Sequence, residues 1–124
     1  MTKQIYLDRI EKGIKIIRTY DVMINQQQNY KTLPHYMKMF GDFCFNYLRY
    51  KTIETGPYVN HLENISEILA LGKEHQIEVP AIISEHSELI QKCKDTQYTD
   101  VAECMKEMPV TNAIIEEIMA DINE

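Results

Sequence analysis

Apolar residues along this chain recur at spacings of three and four, and nowhere sustain the strict alternation of a half-buried strand. Tyr6, Ile10, Ile14, Ile17 and Ile24 form one such stripe, interrupted at Asp21, and predict a helix from about Lys3 to about Gln27. Lys12, Lys15 and Arg18 fall on its opposite side. Gly13, inside this helix, costs about 1 kcal/mol against alanine and so marks a place for a close helix contact. The stripe dissolves in the amide run Asn25-Gln26-Gln27-Gln28-Asn29.

Thr32-Leu33-Pro34 predicts a restart, with threonine as the cap and proline in the tolerant first turn. The helix that follows, roughly Pro34 to Lys51, holds Tyr36, Met37, Met39, Phe40, Phe43, Cys44, Phe45, Tyr47, Leu48 and Tyr50, which no single stripe contains. A helix apolar nearly all round is either central to a bundle or shared with another chain, and the two readings carry equal weight here. Under the second, Tyr36, Met37, Phe40, Phe43, Tyr47 and Tyr50 are the candidate protein interface, since aromatic and Met side chains are enriched at such surfaces.

Gly56-Pro57 is the clearest break. A third helix is predicted over about Tyr58–His75, and a fourth, after Pro80, over about Ala81–Lys94. Asp100 with Glu103 forms a capping box for a short helix that Pro109 closes. Thr111 then caps a last helix, with Val110 and Ile115 as its hydrophobic staple. Only Lys51-Thr52-Ile53-Glu54-Thr55 reads as extended. The expectation is an all-α fold: one domain over residues 1–124, a bundle of five to six helices.

Composition fits that picture. The chain has 124 residues, 44% hydrophobic and 26% charged, with only four glycines and four prolines, which is globular and too poor in turn residues for a sandwich. Cys44, Cys93 and Cys104 are odd in number and lack metal-site spacing, so buried thiols in a reducing compartment are expected. No apolar run opens the sequence as a signal peptide does, and none approaches the roughly 20 residues of a membrane span. A cytoplasmic protein with no membrane association is the resulting expectation.

The net charge of −6 is unevenly placed. Residues 1–51 carry nine Lys/Arg against four Asp/Glu, or +5, and residues 52–124 carry four against fifteen, or −11. Such asymmetry marks attraction between two halves of one bundle, pairing with a second copy, or a nucleic-acid surface. Arg9, Lys12, Lys15 and Arg18 are the candidates for nucleic-acid contact. A pI near 5.2 weighs against it, because long-range attraction to phosphate is then poor.

Catalytic chemistry finds no foothold in the sequence. None of the four histidines has Asp or Glu three residues before it, as a carboxylate-bridged di-metal bundle needs. Glycines at 13, 41, 56 and 72 make no phosphate loop. Cys44 lies among aromatics and Cys104 among acids, both unfavourable to a thiolate. A non-enzyme without cofactors is expected, acting on a protein partner or on itself as a homodimer. Two alternatives remain: a small regulatory protein that contacts nucleic acid through the first helix, and a small-molecule or metal carrier built around His86.

Ile53-Glu54-Thr55-Gly56 and the run Ala70-Leu71-Gly72-Lys73-Glu74-His75-Gln76-Ile77-Glu78-Val79-Pro80 resemble the C-terminal helical domain of ketopantoate reductase-like dehydrogenases over about residues 53–90. There a Glu-x-Gly turn precedes a helix that ends in an Ile-x-Val-Pro segment. The resemblance implies a helical dimerisation-type domain without the nucleotide-binding half. It transfers no catalytic residue, because Asn60 stands where that family's helix carries a substrate-contacting Glu.

Overall fold

Each apolar stripe becomes a helix in the computed structural model, which describes residues 2–124; residue 1 of the expected domain lies outside the described residues. The helices are α1 (Lys3–Asn25), α2 (Leu33–Thr52), α3 (Ile65–Glu74), α4 (Ala81–Glu85), α5 (Ser87–Lys94) and α6 (Val101–Ile122). Short 3-10 turns cover Tyr30–Thr32, Ile53–Thr55 and Pro57–His61, and the described residues contain no strand. The stretch predicted as extended is thus a helix end running into a tighter turn.

The nearly all-apolar helix is the centre of the bundle. α2 packs on α1, α3, α5 and α6. Its Tyr36, Met37, Phe40, Phe43, Phe45, Tyr47 and Leu48 are at most 1% exposed, in one core with Ile10, Ile14 and Ile17 of α1, Ile90 and Cys93 of α5, and Ile114 and Ile118 of α6. A smaller cluster of Tyr6, Ile53, Val59 and Leu71 seals the far end. Burying two phenols in this centre requires partners for their hydroxyls. The Tyr36 hydroxyl bonds to Thr111 Oγ1 and Asn112 Oδ1, both at 2.9 Å, and the Tyr47 hydroxyl donates to Asp121 Oδ2 at 2.5 Å. Lys51 reaches the same carboxylate at 3.0 Å, so α6 is tied to both ends of α2.

Several boundaries differ from the sequence expectation, each for a local reason. Thr32 caps nothing: its hydroxyl donates to the Asn29 carbonyl at 2.7 Å, and the 3-10 turn runs directly into α2. α3 starts at Ile65, not Tyr58, because the Asn64 side chain accepts from the Ser66 amide at 2.8 Å and caps it there. The expected fourth helix is broken at His86, whose backbone (φ −120°, ψ 30°) leaves the helical region. Asp100 does cap α6, accepting from the Glu103 amide at 3.0 Å. Pro109, however, ends nothing, and α6 runs through it as one helix. Proline there deprives the Met105 carbonyl of its amide partner, but both residues are exposed, so solvent satisfies the group. Thr111 is accordingly interior to α6, its hydroxyl donating to the Met108 carbonyl at 3.0 Å, and the expected cap and Val110–Ile115 staple do not form.

Two helix ends use left-handed residues that are not glycine. Gln76 (φ 59°) closes α3, and Thr96 (φ 61°) closes α5. In each the paired bonds of a Schellman motif are present: Ile77 N to Gly72 O with Gln76 N to Lys73 O, and Gln97 N to Lys92 O with Thr96 N to Cys93 O. The tightest helix crossing lies at Gly41, not at Gly13. A Cβ on Gly13 meets Phe43 at an ordinary 3.5 Å, whereas one on Gly41 falls 2.4 Å from the Lys94 backbone nitrogen and 2.8 Å from the Cys93 carbonyl carbon.

Gly41→Ala is therefore expected to destabilise the fold by about 3 kcal/mol, since backbone cannot swing aside as a side-chain tip does; urea unfolding monitored by circular dichroism measures it. Thr96→Gly is expected to stabilise by about 1 kcal/mol, because a β-branched residue is strained in the left-handed region. An unchanged or lowered thermal midpoint would count against that account.

Candidate interaction surface

Enclosure of α2 removes the interface that its composition pointed to. Tyr36, Met37, Phe40, Phe43 and Tyr47 are buried within one copy of the chain and present no surface to a partner. Tyr50 is half-buried, with the Lys3 ammonium 4.7 Å from its ring centroid. The physical reason is coverage: four helices pack on α2, and of the side chains it leaves partly open His35, Lys38, Asp42 and Asn46 are polar.

The surface of α1 has a different character. Arg9, Lys12, Lys15 and Arg18 are all exposed, and none forms an ion pair among the described residues. The guanidinium of Arg9 lies 5.4 Å from the ring centroid of Tyr6. Positive charge in the first half of the chain does meet the acidic half, through Arg49–Glu63 (3.8 Å) and Lys51–Asp121 (3.0 Å), but from α2 only. The cations of α1 remain available.

They do not share one face. A step of three residues turns a helix about 60° short of a full circle, so the four side chains wind around the exposed half of α1. Arg9 and Lys12 line a cleft of about 210 Å³ against α2, with Gly13, Ile16, Met39 and Phe43 beneath them. Arg18 lines a groove of about 450 Å³ between α1 and α6, together with Asp21, Asn25, Asn112, Glu116 and Met119. Lys15 lies between the two.

Buried Ile14, Ile17 and Ile115 floor this second groove, and its polar groups line the walls. The Tyr36–Thr111–Asn112 bonds lie beneath it, and one Asp21 oxygen, Oδ1, is enclosed without a hydrogen-bond partner. Burial pushes the Asp21 carboxyl above its ordinary value. The break in the α1 stripe at Asp21, visible in the sequence, is thus where α1 turns from core to groove. Towards the N-terminus of α6 the groove continues into an apolar notch lined by Ile24, Asn25, Gln28, Tyr30, Leu33, Met105 and Met108. Sequence pattern alone missed this seam, because it joins helix ends about 80 residues apart.

The cysteines offer no nucleophile. All three are buried. Burial drives the Cys44 thiol well up and the Cys93 thiol to about 12, and burial with Glu103 and Asp100 raises that of Cys104. Among the described residues no three His, Cys, Asp or Glu side chains come together to hold a metal ion, and half-buried His86 lines a shallow surface hollow with Glu85, Glu88, Lys92 and Tyr98. Among the described residues no helix is long and apolar enough to cross a membrane. The chain matches no family model, no curated protein and no solved structure.

Asp21→Asn is expected to raise stability at neutral pH by on the order of 1 kcal/mol, discounted from the full burial cost because the groove side of the carboxylate is wet. The sign follows from the raised carboxyl in the folded state: the ionised form costs stability at high pH, and the cost fades as pH falls through the carboxylate range. Thermal unfolding of both proteins from pH 3 to 8 tests this; a gain that persists undiminished at the acid end is the contrary result.

Proposed function

We propose that this chain is a non-enzymatic helical interaction module that binds an acidic, partly apolar segment of a partner protein along the exposed half of α1. The observation that carries the reading is the set of four exposed cations without ion pairs, Arg9, Lys12, Lys15 and Arg18, on a chain whose net charge is −6. Unpaired charge of the minority sign is what steers a complementary partner. The cleft beside Arg9 and Lys12 adds apolar floor from Ile16, Met39 and Phe43, which favours an amphipathic peptide over a bare polyanion.

Nucleic acid is the second reading, and the same four cations favour it. The acidic remainder of the chain opposes it, since a duplex extends well past α1 and meets that charge within a Debye length of about 10 Å at 0.1 M salt. Fluorescence anisotropy with a labelled Glu/Leu amphipathic peptide, and separately with a labelled 20-mer duplex, distinguishes the two. The peptide is expected to bind in low salt and to lose about tenfold in affinity on Lys12→Glu/Lys15→Glu double reversal. Peptide binding that is absent, or indifferent to the reversal, overturns the proposal; tighter binding of the duplex transfers the surface to nucleic acid.

A further inference from the structure

The seam between α1 and α6 is self-complementary. Asn25, the last residue of α1, and Gln28 just beyond it share the notch with Met105 and Met108 of α6, while Arg18 and Asp21 share the groove with Asn112 and Glu116. The two helices are therefore antiparallel, with Arg18 on one wall and Glu116 at the same level on the other. Both side chains are exposed, and neither forms an ion pair among the described residues. Exposed apolar side chains gather on the same side of the molecule. Tyr30 (38% exposed) and Met105 (47%) line the notch, and Val22 (43%) follows Arg18 by one helical turn. These are three of the five large hydrophobic residues exposed among those described.

From this arrangement we infer that a second copy of the chain covers the α1–α6 seam, about a two-fold axis that runs along the groove. This rests on the reading of the chain as an interaction module but uses the edge of α1 away from Arg9 and Lys12. Rotation about such an axis lays α1 of each copy over α6 of the other at unchanged height. Arg18 of each copy then meets Glu116 of its mate, so one contact is made twice, as an isologous interface requires. Lys15, one turn before Arg18, adds to the field at that glutamate. Val22, Tyr30 and Met105 lose exposed apolar surface in the same step.

Size sets the expected strength. The residues lining the seam run from 14 to 28 on the α1 side and from 105 to 119 on α6, about 21 Å of helix, which at about 20 Å wide is a footprint on the order of 400 Å² per copy. That is about half the roughly 800 Å² per partner of a standard interface, so a weak, reversible dimer with affinity in the tens to hundreds of micromolar, on the order of 100 μM, is expected rather than an obligate one. Its charge pairs lie at the rim, and added salt weakens it.

Sedimentation equilibrium of the full chain, with Arg18→Glu, Glu116→Arg and the double exchange, tests the assignment. The native chain is expected to dimerise with concentration. Each single reversal places like charges opposite each other twice and is expected to weaken the dimer about tenfold or more, whereas the double exchange returns it to within about threefold of the native protein. Circular dichroism checks the fold of each variant, and Met105→Glu, which leaves both charges in place, is expected to weaken the dimer as well. A native chain that stays monomeric to about millimolar concentration overturns the inference, as does a double exchange no better than the singles. A monomer that still binds the acidic peptide through Lys12 and Lys15 rejects the dimer and leaves the interaction module standing; loss of both rejects both.

Discussion

An α-helix that is apolar nearly all round has to be covered on nearly every side, and the placement of α1, α3, α5 and α6 answers that demand on α2. Covering it brings a second requirement. Tyr36 and Tyr47 carry hydroxyls into the core, and burial drives both phenols upward, so they stay neutral and act as donors. α6 meets them with Thr111 and Asn112 at one end and Asp121 at the other. Although burial pushes the Asp121 carboxyl up, the Tyr47 hydroxyl and Lys51 together hold it below its ordinary value, so the receiving group stays ionised. The last helix is held by its own apolar stripe, and the two phenols of α2 fix its register.

That dependence explains what was legible in the sequence and what was not. The stripes of α1 and α6 and the crowded apolar run of α2 announced helices, because 3.6-residue periodicity is a local property. Where the helices begin and end was harder, because the deciding groups were weak signals. Asn64 is one polar residue among several, Gln76 and Thr96 hold positions where glycine is the usual sign, and Pro109 sits on a solvent-facing side that tolerates it. The close approach of α2 to α5 at Gly41 involves residues more than 50 apart in the chain. No spacing rule reaches that far.

The contact surface was legible in its charge and illegible in its place. Four cations at intervals of three were visible, yet only the fold sets Arg9 and Lys12 beside one groove and Arg18 beside another. Composition drew attention instead to the aromatic helix, and composition does not distinguish a core from an interface, since both are built of the same side chains. Asp21 was the better clue. A single acid within an apolar stripe marks the line along which a helix passes out of its core.

The three thiols give the bundle one more property. Cys44, Cys93 and Cys104 sit on α2, α5 and α6, each at most 1% exposed, so no reagent in solution reaches them while those helices stay packed. Modification must wait for a helix to lift, and each sulfur then keeps time for a different part of the molecule. Cys93, on the eight-residue α5, reports the lifting of that short helix from α2, while Cys44 records the opening of the centre itself. The chain thereby carries an internal set of clocks for the order in which its own packing comes apart.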